Sequence, residues 1–213
     1  MSSVVEWRAV TKRYRGVTAV EGVSLALEAG QATALVGHNG AGKTTLIKLL
    51  LGLIRPSAGR VLIGGVDAAG SGGAQARRAI GFLPESVAFH GAMTGRELMA
   101  FYARLKGEPR APNDELLARV GIADAADRRV GTYSKGMRQR LGIAQALIGA
   151  PRLLLFDEPT SGLDPASRRD VYEMIEALRA VAEAGELVED VDIRAPGLQE
   201  LYGELVAAGE GAP

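Results

Sequence analysis

Apolar and polar positions alternate with a period of two in VVEWRAV (Val4–Val10) and in VSLALEA (Val23–Ala29). A strand places successive side chains on opposite faces, so both stretches predict strands of an antiparallel sheet with one wet face. ATALVG (Ala32–Gly37) and LLLF (Leu153–Phe156) are unbroken apolar runs instead. Such runs predict strands buried on both faces, as in a parallel sheet. RVLIGGVD reads as one further strand and AIGFLPE (Ala79–Glu85) as another, with GSGG (Gly70–Gly73) a flexible loop between them. The helical period takes over elsewhere. One helix is predicted from Gly42 to about Leu53, stopped by Arg55–Pro56, and another in TGRELMAFYARLKG, where Thr94 and Glu97 have capping-box spacing and Gly107 is the stop. NDELLARVG and Gly136–Gly149 are helical too. Asp164–Pro165 opens a long helix to about Ala184, with Gly185 as its end. Beyond it, VDIR is a weak strand and LQELYGELV an amphipathic helix. Apolar runs alternating with helices predict an α/β fold: a parallel core sheet, an N-terminal antiparallel β subdomain, and a helical subdomain over about 86–150.

Composition narrows the classes. The 213 residues suffice for one domain with a sizeable core, and no internal repeat is found. Lysine plus arginine equal aspartate plus glutamate at 25 each, so no long-range field draws the chain to nucleic acid or anionic lipid. With no cysteine, disulfide and thiol chemistry are excluded. MSSVVEWRAV lacks the pattern of a secretory signal, and no apolar run approaches the ~20 residues of a membrane span. The expectation is a soluble, cytoplasmic protein.

Two stretches carry chemistry. GHNGAGKT (Gly37–Thr44) matches G-x-x-x-x-G-K-[ST] between a predicted strand and a predicted helix. Its glycines let the backbone fold tightly, so that N–H groups point inward at phosphate oxygens, and the helix presents its positive end to the same anion. Lys43 would reach the β- and γ-phosphates and Thr44 would supply a hydroxyl to Mg²⁺. A glycine-rich turn without ligand is the plainer reading; the strand and helix on either side argue against it. His38 fills a free position of the loop and receives no role. LLLFDE (Leu153–Glu158) sets Asp157 and Glu158 at the C-terminal end of a strand, where α/β sheets bind ligands. Asp157 would hold Mg²⁺, directly or through water, and Glu158 would polarise an attacking water as general base. Alone, such a pair is an ordinary solvated strand end; beside a phosphate loop it reads as the other wall of an ATP site.

YSKGMRQR (Tyr133–Arg140) holds three basic residues and opens a helix. A nucleic-acid contact is disfavoured by the neutral chain and the lack of interleaved aromatics. Taken in order, Gly37–Thr44, Tyr133–Arg140, Leu153–Glu158 and SGLD (Ser161–Asp164) resemble the nucleotide-binding domain of ATP-binding-cassette (ABC) transporters. The resemblance implies an ATP hydrolase that works with Mg²⁺ as a homodimer on an integral-membrane permease, peripheral on the cytoplasmic face of the cell membrane, with no nucleic-acid partner. It assigns Gly37, Asn39, Gly40, Ala41, Gly42, Lys43, Thr44 and Thr45 to ATP, and Tyr14 to stacking on adenine, although a half-buried edge tyrosine is the alternative. Ser134, Gly136 and Met137 would be the signature that caps the γ-phosphate of ATP held by the second copy. Asp164 would link the two sites. Glu85 stands where most members have a glutamine that contacts Mg²⁺ and the permease; its added charge leaves the timing of hydrolysis open.

Two features go further. LPESVAFHGAMTGRELMAFYARLKG, the stretch around the signature and the tail DVDIRAPGLQELYGELV resemble the NosF-type ATPases that serve copper-site maturation of nitrous oxide reductase. Only His38, His90 and five scattered methionines are present, so this chain itself offers no copper site. The resemblance also implies another buried strand after the long helix, lying between the phosphate-loop and acidic strands and ending in a histidine that contacts the γ-phosphate. No histidine follows His90 and no Val/Ile/Leu-rich run follows Phe156. Ala182–Val188 therefore reads as a join with a C-terminal remnant over about 186–213, and the sheet as lacking one central strand. An internal deletion, an incomplete sequence, or VDIR taking the slot are the accounts; VDIR is the weakest, since a central strand wants apolar residues on both faces.

Overall fold

The computed structural model describes residues 3–29, 33–35, 40–108 and 113–184. Strands β1 (Ser3–Tyr14) and β2 (Val17–Glu28) pair antiparallel, as their alternating pattern predicts. Helix α1 (Lys43–Leu50) follows the glycine-rich loop and is shorter than the helical period suggested. Strand β3 (Ala58–Ile63) pairs with the other edge of β1, and β4 (Val66–Asp67) folds back on β3. RVLIGGVD is thus a hairpin and not a single strand. Gly64 and Gly65 both have positive φ, 54° and 80°, the conformation a two-residue hairpin turn requires. The order is β2-β1-β3-β4. Val5, Trp7 and Val10 of β1 bury one face against Leu46, Leu49 and Leu50 of α1, which forms the first core cluster.

Helix α2 (Gly73–Arg77) is a single short turn that begins at the last residue of the Gly70–Gly73 loop and has no counterpart among the predicted elements. It leads into β5 (Ile80–Leu83), which pairs in parallel with β6 (Leu153–Phe156), Ile80 opposite Leu153 through Leu83 opposite Phe156. Between them run α3 (Gly95–Lys106), α4 (Asn113–Arg119) and α5 (Lys135–Ala146), and α6 (Pro165–Ala184) follows β6. The capping box of α3 is formed: Thr94 accepts from the Glu97 N–H, and Glu97 Oε2 accepts from the Thr94 N–H at 2.8 Å. The second core cluster joins these helices, with Met99, Leu117, Leu141, Ile143 and Val171 fully buried. The two clusters meet at the parallel pair. Ile80, Leu153 and Leu155 lie with the β subdomain, and Leu83 and Phe156 with the helices.

Two expectations about buried strands change. Thr33, Ala34 and Leu35, the described part of Ala32–Gly37, have no strand pairing and are exposed, Leu35 by 39 %. Leu153–Phe156 is a strand with the expected bounds, yet all four residues are only half-buried. Among the described residues β6 pairs with β5 alone and Thr33–Leu35 pair with no strand, so neither run has the two flanking strands that two-sided burial in a parallel sheet requires. VDIR, LQELYGELV and the stop at Gly185 lie outside the described residues. Among those described, no helix is long and apolar enough to cross a membrane.

Candidate functional site

Gly37, His38 and Asn39 lie outside the described residues; the loop is described from Gly40. Gly40 and Gly42 have φ of 90° and 92°, open only to glycine without strain. At Gly42 space agrees with conformation, since a Cβ there would stand 2.6 Å from the Ala19 carbonyl oxygen. Gly42 caps α1, and its carbonyl accepts the first helical bond, from Leu46 N–H at 2.9 Å. No acidic residue stands in the first turn, so the positive end of the helix meets no carboxylate of its own. Ala41 and Thr44 are exposed, Lys43 and Thr45 half-buried.

The parallel register sends Glu85, Asp157 and Glu158 out of the same end of the β5–β6 pair. The Asp157 N–H donates to the Leu83 carbonyl at 2.9 Å, which extends the ladder one residue beyond Phe156. Burial and the neighbouring Glu158 carboxylate push the Asp157 carboxyl above its usual range, while Lys48 and Lys43 pull it down. The acidic strand end and α1 therefore share one electrostatic neighbourhood. Lys48 was not anticipated; its i+5 spacing from Lys43 gives no sequence signal. Glu158 is exposed and has φ 46°, a strained value for a residue with a side chain. Glu85 is exposed in the loop after β5, and His90 beyond it is exposed as well.

Ser134 caps α5, its hydroxyl accepting from the Met137 N–H at 3.1 Å, and it faces solvent. At Gly136 a Cβ would meet Ser167 Oγ at 3.1 Å, so glycine lets α5 and α6 approach closely. Ser134, Gly136, Met137, Arg140, Ser167 and Asp170 are among the residues lining a cavity of about 320 Å³, and Arg140 donates to Asp170 across it at 2.6 Å. Neither Lys43 nor Asp157 borders that cavity. Asp164 caps α6: its carboxylate accepts from the Ala166 and Ser167 N–H groups and, at 2.6 Å, from Ser167 Oγ. The Ser167 bonds first among these causes hold Asp164 below the usual carboxylate range. That capping role was legible in Asp-Pro before a helical run and was missed. Tyr14, at the end of β1, is 43 % exposed, with the Lys12 ammonium 5.0 Å from its ring centre. Gln139, buried within α5, donates to the Pro159 carbonyl, a link that no sequence pattern announces.

Among the described residues no three His, Asp or Glu side chains cluster as a ready metal cage. What stands ready is an acidic pair whose members repel each other, close to a helix end bearing Thr44. Such a set suits a cation that also leans on an anionic ligand more than one held by protein alone.

Comparison with known proteins covers both halves of this arrangement. The family model described as "ABC transporter" matches residues 20–161. The uncharacterized ABC transporter ATP-binding protein YxlF of Bacillus subtilis is 41 % identical over 172 residues, 79 % of this chain and 56 % of YxlF. The daunorubicin resistance ATP-binding protein DrrA2 of Streptomyces coeruleorubidus is 41 % identical over 180 residues, 83 % of this chain and 56 % of DrrA2. The match thus spans little more than half the length of these curated relatives. The solved structure of cbiO1 from Clostridium perfringens, described as part of the ABC transporter complex cbiONQ, superposes with a TM-score of 0.76 at 27 % identity, covering 85 % of this chain and 75 % of that one.

Proposed function

This chain belongs to the ABC transporter family of ATP-binding proteins, and on that premise we propose that it is the ATP-binding subunit of an exporter, taking Mg-ATP at an interface between two copies. The observation that carries the reading is that Asp157 at the end of β6 lies within the electrostatic reach of Lys43 at the start of α1, while Ser134 opens on a separate cavity. One chain then offers two half-sites for anions that do not face each other, and a second copy brings unlike halves together. In this reading Gly37–Thr45 hold the phosphates, Tyr14 stacks on adenine, and Lys43 neutralises the β- and γ-phosphates. Thr44 and Asp157, with Glu85, hold Mg²⁺, which when bound neutralises charge on the phosphate oxygens. Glu158 accepts the proton of the attacking water. Ser134, Gly136 and Met137 face the partner's nucleotide, and Asp164 connects the two sites.

The partner is a membrane permease at the cytoplasmic face. An exporter agrees with DrrA2, named for daunorubicin resistance. The copper-linked cargo rests on the resemblance of the helical subdomain alone. We also read residues 1–213 as one domain interrupted near 182–188, with weak hydrolysis. Among the described residues the sheet leaves one side of β6 without a partner, and the acidic segment Gly185–Pro196 follows the long helix where the family resemblance calls for an apolar strand. Titration calorimetry and phosphate release on the full chain test this. Mg-ATP binding that disappears in Lys43→Ala, with little turnover, is expected. No binding points instead to a non-catalytic interaction module, and ordinary turnover abolished by Lys43→Ala removes the claim of weak hydrolysis.

A further inference from the structure

We infer that Gln139 is a positioning residue for Glu158, acting through the backbone of Pro159. The inference rests on the reading of Glu158 as the general base. Gln139 is 6 % exposed, one turn into α5. A buried amide is costly unless bonded, and its Nε2 donates to the Pro159 carbonyl oxygen at 2.7 Å. The bond leaves the helical subdomain and grips the turn after β6.

That turn needs holding. Glu158 sits at φ 46°, where a side chain crowds the backbone, and relaxation to an ordinary φ would swing its carboxylate away. On one side the Asp157 N–H is fixed to the Leu83 carbonyl at 2.9 Å. On the other, proline offers no N–H, so the Pro159 carbonyl is the one backbone polar group to grip there, and Gln139 grips it. The Glu158 carbonyl accepts from the Ser161 N–H at 3.0 Å and closes the turn. The same helix carries Ser134 at its cap, and the side chain of Lys135 lies against Gly162. Signature and base are thereby fixed to one another, although in the dimer they serve different nucleotides.

Gln139→Met keeps the length of the side chain and removes the donor. The full-length variant is compared with the parent by ATP calorimetry in Mg²⁺ and in EDTA, and by hydrogen exchange of the peptide spanning Thr160–Gly162. ATP affinity stays within about twofold of the parent both in Mg²⁺ and in EDTA, because Gln139 reaches neither the phosphate loop nor the residues that would hold Mg²⁺. Exchange at Ser161 rises about tenfold, and any turnover falls by a similar factor. Thr94→Ala, which weakens the fold at α3, moves none of these. Should Gln139→Met not fold, Gln139→Asn, too short to reach the carbonyl, carries the same comparison. Parent-like exchange at Ser161 in the variant, with parent-like turnover, overturns the inference alone. Turnover of the parent chain that Glu158→Gln leaves unchanged overturns the reading of Glu158 as general base, and the inference with it.

Discussion

Asp157 shows how a residue proposed to hold Mg²⁺ opposes the fold that carries it. Burial first, then the Glu158 carboxylate, raises its pKa above the ordinary 3.8, and the lysines of α1 only partly offset this. An acid with a raised native pKa holds its proton more tightly folded than unfolded. Its contribution to stability is full below the unfolded value and is lost as pH rises through the folded one. At neutral pH the ionised carboxylate therefore works against the ligand-free fold. Asp157→Asn is expected to raise the unfolding midpoint at pH 7, to lose that advantage as pH falls below 3.8, and to weaken Mg-ATP binding. Melting curves followed by circular dichroism across pH check it; a midpoint lowered at pH 7 contradicts the account. Asp164 has the opposite sign, because the bonds it accepts as a helix cap favour its charged form. The placement of Asp157 was legible from an apolar run ending in a carboxylate. Gln139 was not, because its partner is a backbone carbonyl that only the folded turn presents.

Elements were legible where side-chain chemistry marks their ends. Helix α3 is bounded by a capping box at Thr94 and Glu97 and by Gly107 at φ 78°, all readable as letters. Thr94→Ala removes one side of that box and should cost about 1 kcal/mol, seen as a lower urea midpoint with unchanged slope. An unchanged midpoint would mean that the Thr94 hydroxyl adds nothing to the start of α3. Where pattern and environment part, the sequence misled. RVLIGGVD has the apolar content of one strand, and only φ at Gly64 and Gly65 divides it in two. Helix α2 is too short for a helical period to appear. Ala32–Gly37 and Leu153–Phe156 report the surroundings a strand prefers. Whether the sheet supplies them depends on neighbours far away in sequence, and at Thr33–Leu35 it does not.

At the scale of the molecule, the cavity at Ser134 is bordered by neither Lys43 nor Asp157, and in the proposed reading the two surfaces become one site only through a second copy. The net charge of zero leaves no long-range repulsion between copies, and in the proposed reading bound nucleotide decides their association. Each dimer would place two nucleotides between a Lys43 and a Ser134 from different chains, a twofold arrangement in which each contact is made twice. A large cation at Ser134 spoils the cap of α5 and fills the space that the proposed reading gives to the other chain's phosphate. Sedimentation in saturating Mg-ATP should therefore show the parent chain moving from monomer to dimer, and Ser134→Arg staying monomeric under the same conditions. Lys43→Ala should stay monomeric for the other reason, lacking the nucleotide. Mixing the two variants separates the halves: Lys43→Ala keeps an intact signature and Ser134→Arg an intact phosphate loop. One competent composite site can then form, and a weak mixed dimer is expected where neither variant alone associates. If Ser134→Arg alone dimerises like the parent, its surface faces no nucleotide. The two-copy site would then give way to one completed by some other chain.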